Sequence, residues 1–274
     1  MNNRAMKKNA LFLLMIVIAV VHILPFYLLL TTSFKPESDT SSKWLWPHAL
    51  YFGNFTNAWK HAHLGTAIVN NVIITGIAVT LVVFLGCLAS YPLARFKTRL
   101  NKFMYTVFVA TMIVPPLTIL VPLYKFVAGM GGMNTYWAII LLHVTFNLPM
   151  AIFLFTGFIS TIPKELDEAA MIDGTSRIGL FFRIIMPLLK PITATVIILT
   201  GVTIWNDYQF SLFFLQSSDS QTITVALSSF FSQYVNNIGW VAAGSFMGAL
   251  PIIALYLFLQ KYFISGLSSG AVKG

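Results

Sequence analysis

The sequence of 274 residues is short of charge. Asp, Glu, Lys and Arg together make up 9% of it, where a soluble domain carries about 25%. That scarcity excludes an ordinary cytosolic enzyme. A hydrophobic content of 57% excludes disorder, which needs low hydrophobicity and high charge. The lone Cys87 offers neither a disulfide framework nor a cysteine-based zinc site. No GxxxxGKS or GxxxxGKT loop is present to cradle nucleotide phosphate with backbone N–H groups. No Ser/His/Asp set or catalytic carboxylate pair stands out, so catalysis by this chain is not expected. His61 and His63 would chelate a metal only in an extended segment, and no third ligand is in view; no metal and no cofactor are expected. The shortage of acids leaves a net charge of +9. The basic residues sit in short clusters between long uncharged stretches, which is the pattern of a polytopic membrane protein rather than of a nucleic-acid binder.

What the sequence does have is a series of apolar runs. A bilayer-spanning helix needs about 20 mostly apolar residues. The stretches free of Asp, Glu, Lys and Arg place six spans at about 10–31, 67–92, 103–124, 137–158, 192–215 and 239–260. The expected fold class is therefore all-α, a polytopic membrane protein with six transmembrane helices in a single domain, 1–274. Many runs are rich in Val, Ile and Phe, but an open strand in lipid leaves backbone groups unpaired, and the runs lack the polar–apolar alternation of a barrel strand. The first run is too long for a signal peptide and ends in "TTSFKP" without a cleavage site, so a retained span is expected. With the amino terminus inside, thirteen Lys and Arg fall on inner segments and four on outer ones. By the positive-inside rule both termini are expected to be cytoplasmic, in the plasma membrane. The outer 33–66 loop carries Trp44, Trp46, Tyr51, Phe52, Phe55 and Trp59. It reads either as an aromatic belt at the headgroups or as a docking surface for an external partner.

The loop 160–191 carries the most information. Glu165, Asp167, Glu168 and Asp173 make up half of the chain's acids within nine positions. Pro163 suits a first helical turn, the acids that follow lie near the positive helix end, and Gly174 is a natural terminator. The spacing predicts a short surface helix over 163–173. Leu166, Ala169 and Ala170 fall on one side of it, where the small alanines would let another protein approach the backbone. A second helix should follow, capped by Thr175 or Ser176, with Ile178, Phe181, Phe182 and Ile185 as its apolar stripe, broken by Pro187 and Pro191.

The pattern Glu168-Ala169-Ala170, three residues, Gly174, nine residues, Ile184, one residue and Met186-Pro187 resembles the EAA loop of ABC importer permeases, with Met for the usual Leu. Asp173-Gly174, "TTSFKP", "NNVIIT", "VPPLTILVPLY", "WNDYQF" and the tail "YFISGLSSGAVKG" are similar to the MalG-like carbohydrate branch. The resemblance covers nearly the whole chain. It implies a MetI-like permease fold with a cytoplasmic coupling helix that inserts into a separate ABC ATPase, with Glu168, Ala169, Ala170, Asp173 and Gly174 at the contact. It also implies an ATPase dimer that uses the ATP, a homologous MalF-like second permease, an extracellular sugar-binding protein and a sugar, preferably an oligosaccharide, as substrate. The tail 262–274 would be a flexible peptide reaching toward the ATPases, or a frayed terminus.

Polar groups inside a membrane mark pathways by default. The cluster Trp205, Asn206, Asp207, Tyr208 and Gln209 in the fifth span offers rings for a pyranose face and polar groups for hydroxyls. It reads equally as a structural cluster at a helix break. His143 and Asn147, and Asn70 and Asn71, are further candidates that also suit interhelical hydrogen bonds. The alternative function is an ion-gradient-driven secondary sugar transporter, for which Asp207 is the one acid well inside a span.

Overall fold

In the computed structural model the backbone is described over residues 3–233 and 237–271, and the side chains from 7 to 233 and from 237 to 260. Among these residues every regular element is helical. In chain order they are α1 (Asn3–Ser33), α2 (Gly53–His61), α3 (Leu64–Arg95), α4 (Arg99–Thr111), a 3₁₀ turn (Pro116–Ile119), α5 (Leu120–Gly129), α6 (Tyr136–Ile159), α7 (Glu165–Ile172), α8 (Arg177–Leu180), a π turn (Phe181–Ile185), α9 (Met186–Leu188), α10 (Lys190–Trp205), α11 (Gln209–Phe214), α12 (Ile223–Gln233) and α13 (Ile238–Ala271). Four helices are long and apolar enough to cross a bilayer alone, and two bent pairs bring the number to six.

Two of the expected spans are not single rods. The third breaks between Thr111 and Pro116 with a bend of 89°. Pro115 and Pro116 lie in that gap, and proline both removes a backbone donor and pushes the preceding residue out of helical geometry. The fifth begins at Lys190 and ends at Trp205, with α11 following separately. The α8–α9 segment leading into it is bent by 72° beside Pro187 and Pro191. The backbone of α13 stays helical to Ala271, through most of the segment read as a flexible tail. Side chains from 261 onward, and all of 272–274, lie outside the described residues.

Contacts group the chain into two compact units. The first comprises Met1–Gly65 and Ala226–Leu250. Along α1 the apolar side chains from Leu11 to Phe26 are exposed, as a lipid-facing helix requires. The loop that follows is folded back. Thr31 donates to the Lys43 carbonyl at 2.7 Å and Tyr27 to the Trp44 carbonyl at 2.8 Å. Lys35 is buried and spends its ammonium on Ser41 and the Ser42 carbonyl. Phe55 packs on Phe34 and Phe246, while Trp44, Trp46, Tyr51, Phe52 and Trp59 keep exposed rings. His61 stacks on Trp240 at 5.4 Å.

The second unit, Thr66–Val225 and Pro251–Gly274, is built around α6. Much of that span is buried, whereas the apolar stretch of α1 is not. Phe155, Ala151, Ile139 and Ile159 form its inner face, with Leu180, Ile185, Leu189 and Phe214 packed into the same core. α3 approaches α6 closely at Gly86, where an added Cβ would lie 3.0 Å from that of Ala151. Ser90 seals the contact by donating to the Ile152 carbonyl at 3.1 Å. Small residues at such crossings let dispersion and interhelical hydrogen bonds replace the missing hydrophobic drive. Gly86→Leu is expected to cost about 1–3 kcal/mol by overpacking. Gly157→Leu, with nothing within 4 Å of its would-be Cβ, is expected to be close to neutral; thermal unfolding of the two purified variants in detergent checks the contrast.

Candidate functional site

The acidic segment forms α7, with Glu165, Asp167 and Glu168 in its first turn. It stops where the sequence pattern places the stop. Gly174 takes φ +81°, a conformation L side chains rarely adopt. Its N–H donates to the Met171 carbonyl at 3.1 Å, and the Thr175 N–H donates to the Ala170 carbonyl at 3.0 Å. That pair of bonds is a Schellman motif, which satisfies carbonyls orphaned at the helix end. Ser176 then caps α8 by accepting from the Gly179 N–H at 3.1 Å. Two termini thus meet within five residues with their backbone groups paired, so the joint between α7 and α8 is stiff.

An ion pair the sequence reading missed anchors the helix. Asp167 is buried on the inner side of α7, and Arg95, the last residue of α3, reaches it with both edges of its fork: Nε to Oδ2 at 2.8 Å and Nη2 to Oδ1 at 2.9 Å. Tyr91 adds a hydrogen bond to Oδ2 at 3.2 Å. The third guanidinium nitrogen, Nη1, donates to the carbonyls of Ile159 and Ile162 at 3.2 and 2.9 Å, at the end of α6. Arg95 and Asp167 are each 8% exposed. One side chain therefore joins the end of α3, the end of α6 and the first turn of α7. The partners are 72 positions apart, and the only local signals were an acid preceding Glu168 and an Arg closing a long apolar run.

With Asp167 turned inward, Glu168, Ala169, Asp173 and Gly174 are exposed. Ala170 is 5% exposed and packs in the core with Leu180. The two alanines therefore do not share an open face. Leu166, Met171 and Ile172, the last 85% exposed, put apolar surface beside the exposed acids. The stripe expected on the second helix is buried only in part: Ile178 is 73% exposed and Phe182 half-exposed, whereas Leu180, Phe181, Ile185 and Leu189 are buried. Phe181 and Ile185 of the expected stripe are thus buried, while Ile178, ahead of the π turn at Phe181–Ile185, and Phe182, within it, are not.

The polar cluster of the fifth span lies at a break, residues 206–208, between α10 and α11. Trp205 is buried, and its carbonyl accepts from Asn71 Nδ2 at 2.9 Å. Asp207 caps α11: its carboxylate accepts from the Phe210 N–H at 3.2 Å and from the Ser211 N–H and hydroxyl at 2.8 Å each. His143 Nε2 stands 3.8 Å from the same carboxylate, and the Asn147 amide donates back to the His143 carbonyl at 2.8 Å. Both are buried on α6. Asn206 and Tyr208, like Gln209, are exposed. Asn70 and Asn71 work as clips. Asn70 donates to the carbonyls of Asp219 and Gln221 at 2.9 Å each and accepts from Tyr136 at 2.6 Å. Asn71 accepts from the Ile223 N–H at 3.1 Å. The structure thus brings Asp207, His143 and Asn147 together behind the break, and leaves Asn206 and Tyr208 on its open side.

Residues 82–268 match the model of the family described as binding-protein-dependent transport system inner membrane component. The chain is 52% identical to the melibiose/raffinose/stachyose import permease protein MelC of Bacillus subtilis, over 96% of this chain and 95% of that one. It is 32% identical to the arabinooligosaccharides transport system permease protein AraQ of the same organism, over 97% and 95%. Among solved structures, a bacterial ABC transporter involved in the import of the acidic polysaccharide alginate contains a chain that superposes with a TM-score of 0.81 at 19% identity, covering 96% of this chain and 99% of that one.

Removing one partner of a buried pair costs about 3–5 kcal/mol, because the other charge stays behind. Asp167→Ala is expected to destabilise the protein by that order, read as thermal unfolding in detergent, and Asp167→Asn by less. The exchange Arg95→Asp with Asp167→Arg is expected not to restore stability, since an acid at position 95 would face the Ile159 and Ile162 carbonyls. Full recovery in the exchanged protein would mean those carbonyl bonds contribute nothing.

Proposed function

Because the chain belongs to the family of binding-protein-dependent transport system inner membrane components, we propose that it forms half of the translocation pore of an ATP-driven oligosaccharide importer, with α7 as its coupling helix. The chain is a multi-pass membrane protein with the fold of an ABC importer permease, and transport permease is its role. The finer reading concerns what drives it and what it carries. The ATP is consumed by a separate cytoplasmic ATPase dimer, a homologous permease supplies the other half of the pore, and an external binding protein delivers the sugar. Both termini are cytoplasmic, in keeping with the thirteen-to-four distribution of basic residues. Identity of 52% to a melibiose/raffinose/stachyose import permease makes sugars of that kind the preferred substrates.

The observation that carries this reading is the mounting of α7. One face is pinned through Asp167 to Arg95. The other offers Glu168, Ala169, Asp173 and Gly174 to a partner, with the buried Ala170 seating the helix on its own core. When the ATPase subunits close, they displace α7. A hydrogen-bonded helix does not stretch, so the displacement passes through Arg95 to the ends of α3 and α6, and through the Gly174–Ser176 joint to α8 and α10. At the far end of α10 lies the break with Asn206 and Tyr208, which supply an amide and a ring to the sugar path. Asp207, His143 and Asn147 hold the break in shape behind them, and Trp205 anchors it. An ion-gradient mechanism lacks comparable support, since the Asp207 carboxylate already accepts three hydrogen bonds from α11 and the relatives are ABC permeases.

Glu168→Arg reverses an exposed charge and should leave the permease at its normal level in the membrane. A charge-assisted contact is worth about 1.5–3 kcal/mol, so ATP-dependent raffinose uptake is expected to fall at least about tenfold. Gly174→Pro removes the N–H that ends α7 and forbids its positive φ, and should abolish uptake. Normal uptake in both variants, or uptake that survives ATP depletion and collapses with the ion gradient, would defeat the proposal.

A further inference from the structure

Within the second unit a cavity of about 540 Å³ opens in the corner between α3, the π turn, α10 and α13. Its size falls in the range of small-molecule sites, roughly 300–1,000 Å³. The walls are hydrocarbon: Phe84 on α3, Phe182 and Met186 around the π turn, Ile197 on α10 and Leu259 on α13, with the thiol of Cys87 at the back.

Polarity is confined to one end. Lys190 is the first residue of α10, and Thr193 lies one turn further on the same face. Neither the Lys190 ammonium nor the Thr193 hydroxyl has a partner among the described residues. From Lys190 the lining continues along α10 through Ala194 to Ile197, about 10 Å at 1.5 Å per residue, with no further polar side chain. The groove therefore begins at a cation and runs into hydrocarbon. A soluble phosphate has no use for the apolar length, and an uncharged apolar segment has no use for the cation.

We infer that this groove binds an anionic phospholipid of the leaflet bordering α7, with its phosphate on Lys190 and Thr193 and one acyl chain lying along α10 against Phe84 and Cys87. The charges are complementary, and the chain's route from surface to interior is the one a bilayer lipid already follows. Phe181, Phe182 and Met186 wall the groove and belong to the turn that links α7 to α10. A bound lipid therefore braces the lever through which the coupling helix acts, and transport should depend on headgroup charge.

The test uses the intact complex, purified with its partner chains, in phosphatidylcholine nanodiscs carrying a trace of phosphatidylglycerol with a photoactivatable diazirine in one acyl chain. Crosslinks are expected on peptides covering 83–88 and 193–197. Unlabelled phosphatidylglycerol should compete about fivefold better than phosphatidylcholine, the weight of one basic side chain facing an anionic lipid. Lys190→Gln should erase that preference and Lys190→Arg should keep it. Equal competition by the two lipids, or a groove left unlabelled because another subunit fills it, overturns the site. Raffinose uptake by the same complex is read separately. Uptake with no lipid preference sinks the lipid site and leaves the coupling reading standing, whereas a lipid preference without ATP-driven uptake does the reverse.

Discussion

The guanidinium of Arg95 is the point through which the second unit is held together at the end that carries α7. Two helices, α3 and α6, stop there, and a helix that stops leaves carbonyls without partners. Arg95 gives one nitrogen to the carbonyls of Ile159 and Ile162 and the other two to Asp167. A cation at the end of α3 and beside the end of α6 is also favoured by the negative ends of both helix dipoles. The cost of burying it is offset by the ion pair together with hydrogen bonds from Nη1 and Nη2, while Nε makes only its charge contact with Oδ2. Those hydrogen bonds matter, because a buried pair with unmet lone pairs can destabilise a fold. A lysine has one donor centre and could not reach three places at once.

From that anchor a series of joints extends to α10, and none of them is slack. The Schellman bonds at Gly174 and the Ser176 cap lock the reversal between α7 and α8. The π turn follows, with Leu180, Phe181 and Ile185 buried in the core. Leu189, fully buried, sits at the corner before α10. Interiors are close-packed and respond to load by switching between arrangements rather than by stretching. A displacement imposed on α7 therefore has two exits, through Arg95 into α3 and α6 and through the corner at Leu189 into α10. Both lead into the packed helices around α6.

At the other end of α10 the backbone departs from helix, which hydrocarbon allows only where the freed groups find partners. Asn71 takes the Trp205 carbonyl and the Ile223 N–H, Asn70 takes the carbonyls of Asp219 and Gln221, Asp207 takes the first amides of α11, and Thr224 donates to the Asp207 carbonyl. Asn134, itself at φ 59°, accepts from the Gln216 and Ser217 amides at 2.6 and 2.8 Å. Three of the polar side chains that look like a binding cluster in the sequence, Asn70, Asn71 and Asp207, are thus spent on the backbone of residues 205–223. Asn206, Tyr208 and Gln209 are exposed, and Asn206 too spends its Nδ2 on a carbonyl, that of Val202 at 2.8 Å. The polarity of the segment has two causes that a composition rule counts as one.

What could be read beforehand, and what could not, follows from the range of the interactions. α7, its stop at Gly174 and the Ser176 cap depend on residues within a few positions of each other, and local rules find them. The Arg95–Asp167 pair depends on chain segments 72 positions apart, and nothing in either segment names the other. The stripe on the second helix was legible only in part: Phe181 and Ile185 are buried, whereas Ile178 and Phe182 are exposed, and the π turn at Phe181–Ile185 departs from the period of 3.6 residues that was assumed. The broken third span is the instructive case, because its signal was in plain view. Apolar length argued for a continuous helix over 103–124, and Pro115-Pro116 argued for a corner. Single prolines inside α3, α6 and α13 are carried without a break, since one missing donor can be absorbed by a neighbouring turn. Two in succession remove adjacent donors and bar helical geometry at the residue before each of them. No neighbouring turn can absorb that, so the backbone constraint prevails over length and the chain turns.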